Sequence, residues 1–154
     1  MSGNIDAQSA QPVDQIEAMF VQQAHGLSSD GMQVTLEGLS PATLFFADRP
    51  DRVVGHVNSR KFIDEWGDGE NSFAEDPPNA VLSFMETGDT IPEDATMVLR
   101  NPKIGPENRL TYEVEILDGV VPARGGPCSL FIDPIGRPLS PMSVAGVRRR
   151  ERRR

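Results

Sequence analysis

The sequence predicts a mainly β protein: an antiparallel β-sandwich with one N-terminal helix, a short helix in a cross-connection and an extended, Pro-rich C-terminal arm. Several segments alternate apolar and polar residues with a period of two, which is typical of antiparallel strands with one wet face. The 154 residues include 13 prolines and 14 glycines, which favours short elements joined by turns. The segments also lack the strand–helix rhythm of a parallel sheet.

The N-terminal part is predicted to hold a flexible lead and then a helix. Residues 1–11 are small and polar without periodicity. Apolar residues then recur at spacings of three and four: Val13, Ile16, Phe20 and Ala24. Pro12 suits a first helical position and Gly26 suits a C-terminal stop, so the pattern predicts an amphipathic helix over about residues 12–24.

Six strands are predicted after Gly26. Two of these segments alternate strictly between apolar and polar residues. MQVTLEG places Met32, Val34 and Leu36 on one face. RLTYEVEIL places four apolar residues on one face: Leu110, Tyr112, Val114 and Ile116. Four shorter apolar runs, bounded by Pro, Gly or Asp, predict more central strands: ATLFFAD, AVLSFME, ATMVLRN and CSLFID.

The segment SRKFIDEWG interrupts this series and predicts a short helix over residues 59–66. Ser59 is a suitable N-cap, and Gly67 is a suitable stop. Phe62, Ile63 and Trp66 share one apolar face, which we expect to pack against the sheet.

The C-terminal part is predicted to be extended. Four prolines between residues 127 and 141 exclude a helix and discourage pairing inside a sheet. The chain length predicts a single domain, which we place at residues 12–147, and a basic tail follows it at residues 148–154.

The charge of the chain is uneven. Its net charge is −8, whereas the last seven residues carry +5 and the other 147 residues carry −13. The tail is built from six arginines: Arg148, Arg149, Arg150, Arg152, Arg153 and Arg154. Opposite charges on one chain predict that the tail binds carboxylates, so we expect a homo-oligomer or an acidic protein partner.

Other partners and compartments are narrowed by composition. The acidic body would repel a nucleic acid, and aromatic residues for base stacking are not interleaved with the arginines. No apolar run approaches 18 residues, so no transmembrane segment is predicted. The N-terminus shows no signal peptide, which predicts a cytoplasmic protein by default, or an envelope or exported protein if a signal has been removed. The single cysteine, Cys128, excludes an internal disulfide.

Five ordered segments are distinctive: FFADRPDRVVGH, FIDEWGDGENSFAEDPPNAVLS, VLRNPKIG, LTYEVEILDGVVP and SLFIDPIGRPLSPMSVAGVRRR. Together, over about residues 30–150, they resemble a family of small uncharacterised bacterial proteins. Several members of that family look exported, so the resemblance implies an envelope location, although this chain departs from them by lacking an evident signal. The family has no established activity, so the resemblance assigns no catalytic residue.

The densest of these segments, FFADRPDRVVGH, supports two interpretations. Asp48, Arg52 and His56 match a hydrolase-like or metal-assisted enzyme, in which a carboxylate orients an imidazole and a guanidinium holds an anion. Alternatively, Asp48 ends a strand, Pro50 begins a turn, and the carboxylate braces this corner through Arg49 or Arg52. The chain has no serine or cysteine in a nucleophile elbow, which favours the brace.

The segment DEWGDGENSFAEDPPN supports a calcium site or a solvated acidic loop. Its hard oxygen ligands are Asp64, Asp68, Glu70, Asn71 and Asp76. Their spacing does not match the twelve-residue helix–loop–helix motif. Zinc would need carboxylates as well, because the chain has only two histidines and one cysteine. No cofactor is predicted, with calcium as the alternative.

These observations predict a non-catalytic binding or self-assembly module. The alternatives are an enzyme centred on Asp48, Arg52 and His56, and a calcium-stabilised envelope protein that uses the acidic loop.

Overall fold

The computed structural model describes residues 17–49, 51–68, 72–85 and 91–133, and these residues form mainly antiparallel β-structure. In chain order the elements are β1 Glu17–Ala24, β2 Gly26–Ser29, β3 Gln33–Glu37, β4 Ala42–Arg49, β5 Val53–Asn58, α1 Ser59–Asp64, β6 Asn79–Phe84, β7 Glu93–Gly105, a 3-10 turn Pro106–Asn108, β8 Arg109–Asp118, β9 Arg124–Gly125 and β10 Cys128–Asp133. The mainly β prediction is confirmed.

The strands form one sheet, in the order β5-β4-β1-β10-β6-β7-β8-β3-β2-β9. Only His25 separates β1 from β2, and one register runs through both: Ala24 lies opposite Cys128, and Leu27 lies opposite Gly125. β1 and β2 therefore act as one long, bent strand beside β10 and β9. A path from β1 through β10, β6, β7, β8 and β3 returns to β2, so a single coiled sheet encloses the core.

The helix predicted over residues 12–24 is wrong where the structure describes it, because residues 17–24 form β1. Ile16, Phe20 and Ala24 are four residues apart, and a spacing of four keeps residues on one side of a strand as well as a helix. β1 lies between β4 and β10, and it directs Phe20, Gln22 and Ala24 towards the core. Two hydrogen-bonded ladders outweigh a marginal helical preference.

The six strands predicted from periodicity are present as β3, β4, β6, β7, β8 and β10. In β8, Leu110 and Tyr112 are fully buried, whereas Val114 and Ile116 are half-buried and pack against the same core. The predicted inward face of this strand is therefore correct, and its burial decreases towards the C-terminal end.

One predicted core residue is misplaced. Val34 and Leu36 of β3 are buried, but Met32 precedes the strand and is 74% exposed. The carboxylate of Asp30 accepts the backbone N–H groups of Met32 and Gln33, at 2.9 and 2.7 Å, which turns the chain at this point. These two hydrogen bonds also lower the pKa of Asp30.

The short predicted helix is confirmed as α1, with a different cap. Asn58 is the N-cap, and its Oδ1 accepts the backbone N–H of Lys61 at 3.0 Å. Ser59, the predicted cap, is instead the first helical residue and is buried. Ile63 and Trp66 are buried as expected from the apolar face.

An aromatic cluster holds α1 against the sheet. Phe20 of β1 lies 4.9 Å from Phe62, between ring centroids, and Trp66 lies 4.8 Å from Phe73 and 5.6 Å from Tyr112. Such tilted and edge-on contacts are the favoured geometries of aromatic pairs. Because α1 follows β5 directly, this cluster also fixes the end of β5.

The predicted C-terminal arm lies outside the described residues beyond Asp133, as do the polar lead at residues 1–11 and the basic tail at residues 148–154.

Candidate functional site

One end of the described sheet is formed by the strand β5. This strand follows β4 in an antiparallel hairpin, in which Phe45 lies opposite Gly55 and Phe46 lies opposite Val54. The segment VVGHV forms a strand because valines favour extended, pleated backbone. β5 stands at one end of the strand order, so one side of its backbone faces no strand of the described sheet.

β5 is exposed on both faces. Val53, Val54 and Val57 are 46%, 66% and 36% exposed, and Phe46 on the neighbouring strand is 43% exposed. The six residues of β5 include no proline and no lysine, aspartate, glutamate or arginine. Natural proteins usually protect edge strands with such residues, with bulges or with a covering element. The edge is therefore chemically suited to pair with a further strand.

A chain of buried polar groups positions this edge. The hydroxyl of Tyr112 donates to Oε1 of Gln22 at 2.7 Å, and Nε2 of Gln22 donates to Oγ1 of Thr43 at 3.3 Å. Oγ1 of Thr43 lies 2.6 Å from Oγ of Ser59, which donates to the carbonyl of Ser40 at 2.8 Å. One consistent set of donors satisfies the whole chain, because Thr43 can accept from Gln22 and donate to Ser59.

This series of hydrogen bonds links the core to the C-terminal end of β5. Thr43 lies opposite Val57 in the hairpin, and Ser59 begins α1. Burial raises the pKa of Tyr112 despite the hydrogen bond to Gln22, so its hydroxyl remains a neutral donor. The groups are all uncharged, so they position the edge without supplying acid–base chemistry.

Sequence reasoning did not find these residues as a network. Gln22 and Tyr112 are 90 residues apart, and a glutamine between apolar neighbours has no local signal that predicts its partner. The strand β5 was also missed, although its three valines indicate β-structure.

The residues of the predicted enzyme site lie along the same edge. Arg52 precedes β5, and His56 lies within it, opposite Leu44; both are exposed. Asp48 belongs to β4, and its side chain lies outside the described part of the structure. Residues four apart on a strand are separated by about 13 Å, so Arg52 and His56 are spaced along the edge of the sheet. The catalytic interpretation and the Asp48 brace both stay predictions.

The residues of the predicted calcium site are only partly described. Asp64 ends α1 and is exposed, as are Asp68 and Asp76, whereas Glu70 and Asn71 lie outside the described residues. Within the described ranges, no group of three or more histidine, cysteine, aspartate or glutamate side chains is arranged to hold a metal ion. The calcium site stays a prediction.

A cavity of about 440 Å³ lies away from β5, at the bend between β1 and β2. Gln23, Ser129 and Ser83 form a polar row across three neighbouring strands in its wall, and His25 and Cys128 border it. Burial raises the pKa of the Cys128 thiol to about 12, so the thiol is protonated at neutral pH. A protonated thiol is a poor nucleophile, which argues against covalent catalysis here.

The described residues define a mainly antiparallel β protein whose coiled sheet ends, on one side, in an exposed edge strand without lysine, arginine, aspartate or glutamate. Comparison of the chain with protein-family models, with curated proteins and with solved structures gave no match. The resemblance to small bacterial proteins therefore stays a prediction. Among the described residues, no helix is both long enough and apolar enough to cross a membrane.

Proposed function

We propose that this protein is a non-catalytic binding and self-assembly module that pairs with a strand of another chain along β5. The observation that supports the proposal is the exposure of β5: it is the end strand of the order, and its three valines are accessible on both faces.

Strand addition explains how such an edge works. The unpaired N–H and C=O groups of an edge strand form main-chain hydrogen bonds with an incoming strand, and alternate side chains supply specificity. Here Val54 adds to the outer face beside Phe46, while Val53 and Val57 add to the face that continues the core. Each incoming strand thus gains a backbone ladder and apolar contacts on both sides.

The fixed geometry of β5 favours this role. The aromatic cluster and the buried polar chain hold β4 and α1, which flank β5, so the edge loses little conformational entropy when it pairs. The basic tail, whose predicted partners are carboxylates, would strengthen assembly electrostatically. That part of the proposal rests on the sequence alone.

A charged residue on the edge tests the proposal. We expect the mass of the native chain to rise above 16.8 kDa with concentration, and the amides of β5 to become protected from hydrogen exchange in parallel. Val54→Lys should abolish both effects without lowering the melting temperature, because lysine on an edge strand opposes pairing.

Val120→Lys is the matched control. Val120 is 80% exposed and lies outside the strands, so the same change there should leave association unaltered. Equal loss of association in both variants, or β5 amides whose exchange never depends on concentration, would refute the role of this edge.

A further inference from the structure

We infer that the strand added to β5 is β5 of a second copy of this chain, paired antiparallel about a two-fold axis centred on Gly55. This inference rests on the proposed function and names its partner. It is carried by the register of the β5 side chains, by the position of Phe45 over Gly55, and by the lack of lysine, arginine, aspartate and glutamate in the strand.

Symmetry limits the registers that two copies of β5 can adopt. In an antiparallel ladder, directly opposed side chains point to the same face. A two-fold axis that relates two identical strands must therefore lie midway between one residue and the same residue of the other copy. Centring on Val54 would place Val53 opposite Gly55, and centring on His56 would oppose two imidazoles. Only an axis at Gly55 places Val53 opposite Val57, and it does so twice.

This register makes one continuous apolar face. Val53, Gly55 and Val57 share the face of β5 that lies beside the core-facing side chains of β4. Two valine pairs therefore form on that face, one on each side of the axis. Cross-strand pairs of β-branched residues are among the contacts that stabilise antiparallel sheets.

The ring of Phe45 explains why a glycine occupies the axis. A Cβ atom added at Gly55 would lie 2.9 Å from Cζ of Phe45, so the ring already covers this position. Phe45 is itself held by Phe20, with ring centroids 6.5 Å apart. Across the axis, the Phe45 rings of the two copies would cover the two opposed glycines, a recognised way of stabilising glycine in sheets.

The composition of the strand is compatible with a second copy. The chain carries a net charge of −8, so two copies repel in general, but the six residues of β5 include no lysine, arginine, aspartate or glutamate. Outside the strand, Asp51 and Arg52 precede β5, Arg60 and Lys61 follow it, and Lys61 pairs with Glu65 at the end of its own helix at 3.4 Å. The pairing therefore rests on the strand itself and not on ion pairs at its ends.

Mixing two single-cysteine variants tests the inference. In a Cys128→Ser background, Val53→Cys and Val57→Cys chains should each stay unlinked when oxidised alone. When mixed, they should form a disulfide-linked heterodimer of twice the chain mass, because only the mixture brings cysteines into opposed positions. Both valines are exposed, so neither change should unfold the protein, which the melting temperature of each variant checks.

Three further variants separate the possible outcomes. If the Val54→Cys chain or the His56→Cys chain cross-links strongly on its own, the axis lies at that residue. Such a result would overturn the inferred register but not the pairing of β5 with a second copy. If Val54→Lys blocks concentration-dependent protection of β5 but no cysteine combination cross-links, the added strand is not β5 of a second copy. If Val54→Lys has no effect and no cross-link forms, the proposed function fails together with the inference.

Discussion

Removal of the Tyr112 hydroxyl tests the buried polar chain that positions β5. Tyr112 and Gln22 are both fully buried, and their hydrogen bond is 2.7 Å long. Tyr112→Phe leaves Oε1 of Gln22 without a partner in a place that water does not reach. A buried, unsatisfied acceptor costs about 1–3 kcal/mol, so we expect the free energy of unfolding to fall by about 2 kcal/mol.

A double variant separates the hydrogen bond from packing. Replacing both partners, in Tyr112→Phe with Gln22→Leu, removes the unsatisfied acceptor together with its donor, so the second change costs less in the Tyr112→Phe background than in the native chain. In both backgrounds Gln22→Leu also removes the hydrogen bond to Thr43, whose hydroxyl keeps its contact with Ser59, so this loss cancels in the comparison. The two changes should therefore couple by about 1–2 kcal/mol, as expected for residues in direct contact. Thr111→Val is the matched control, because its hydroxyl pairs with Thr35 at 2.9 Å in a half-buried position where water can replace it.

Urea unfolding followed by the fluorescence of Trp66 measures these changes. Trp66 is the single tryptophan and lies 5.6 Å from Tyr112, between ring centroids. A lower midpoint at constant slope reports a change in stability. The reasoning is refuted if Tyr112→Phe loses no more stability than Thr111→Val, or if the two changes at Tyr112 and Gln22 simply add.

Three further predictions concern other parts of the fold. Burial raises the pKa of Cys128 to about 12, whereas a thiol in the unfolded chain has a pKa of about 8.5. The contribution of the protonated thiol to stability is therefore complete below about pH 8.5, and it falls by up to about 1.4 kcal/mol per pH unit as the pH rises towards 12. Cys128→Ala should flatten the loss of stability between about pH 8.5 and 10, and an unaltered slope would contradict this assignment. Gly119→Ala should cost at least about 2 kcal/mol more than Gly31→Ala in urea unfolding. Both glycines have positive φ, but a Cβ atom at Gly119 would lie 2.7 Å from the carbonyl oxygen of Asp94, whereas nothing lies within 4 Å at Gly31. Equal losses of stability would show that the structure relieves this close approach. Asn58→Ala should lower the free energy of unfolding by about 1 kcal/mol through loss of the α1 cap, and an unchanged value would mean that the cap is replaced by solvent.

The local pattern of the sequence predicted much of the sheet. Val34 and Leu36, like Leu110 and Tyr112, face the core because alternation with polar residues leaves only one register that avoids burying them. The short helix α1 was predicted for a similar reason, since Ile63 and Trp66 form a single apolar face. In these segments, residues two, three or four positions apart favour the same element and the same buried face.

The candidate site depended on contacts that no local pattern contains. Val53, Val54 and Val57 have the composition of an interior strand, and only the order of the sheet places them at an open edge. The hydrogen bond between Gln22 and Tyr112 likewise joins two strands that are adjacent neither in sequence nor in the sheet.

The sequence by itself determined that six of the segments are extended, which faces of β3 and β8 are apolar, and where α1 lies. The tertiary structure decided that residues 17–24 form a strand, that β1 and β2 close the sheet beside β10 and β9, and that β5 pairs on one side only in the described sheet. The physical reason is the range of the interactions involved. Alternation and capping act between residues a few positions apart, whereas an edge exists only relative to every other strand, because it is the position at which hydrogen-bonded pairing between distant segments ends.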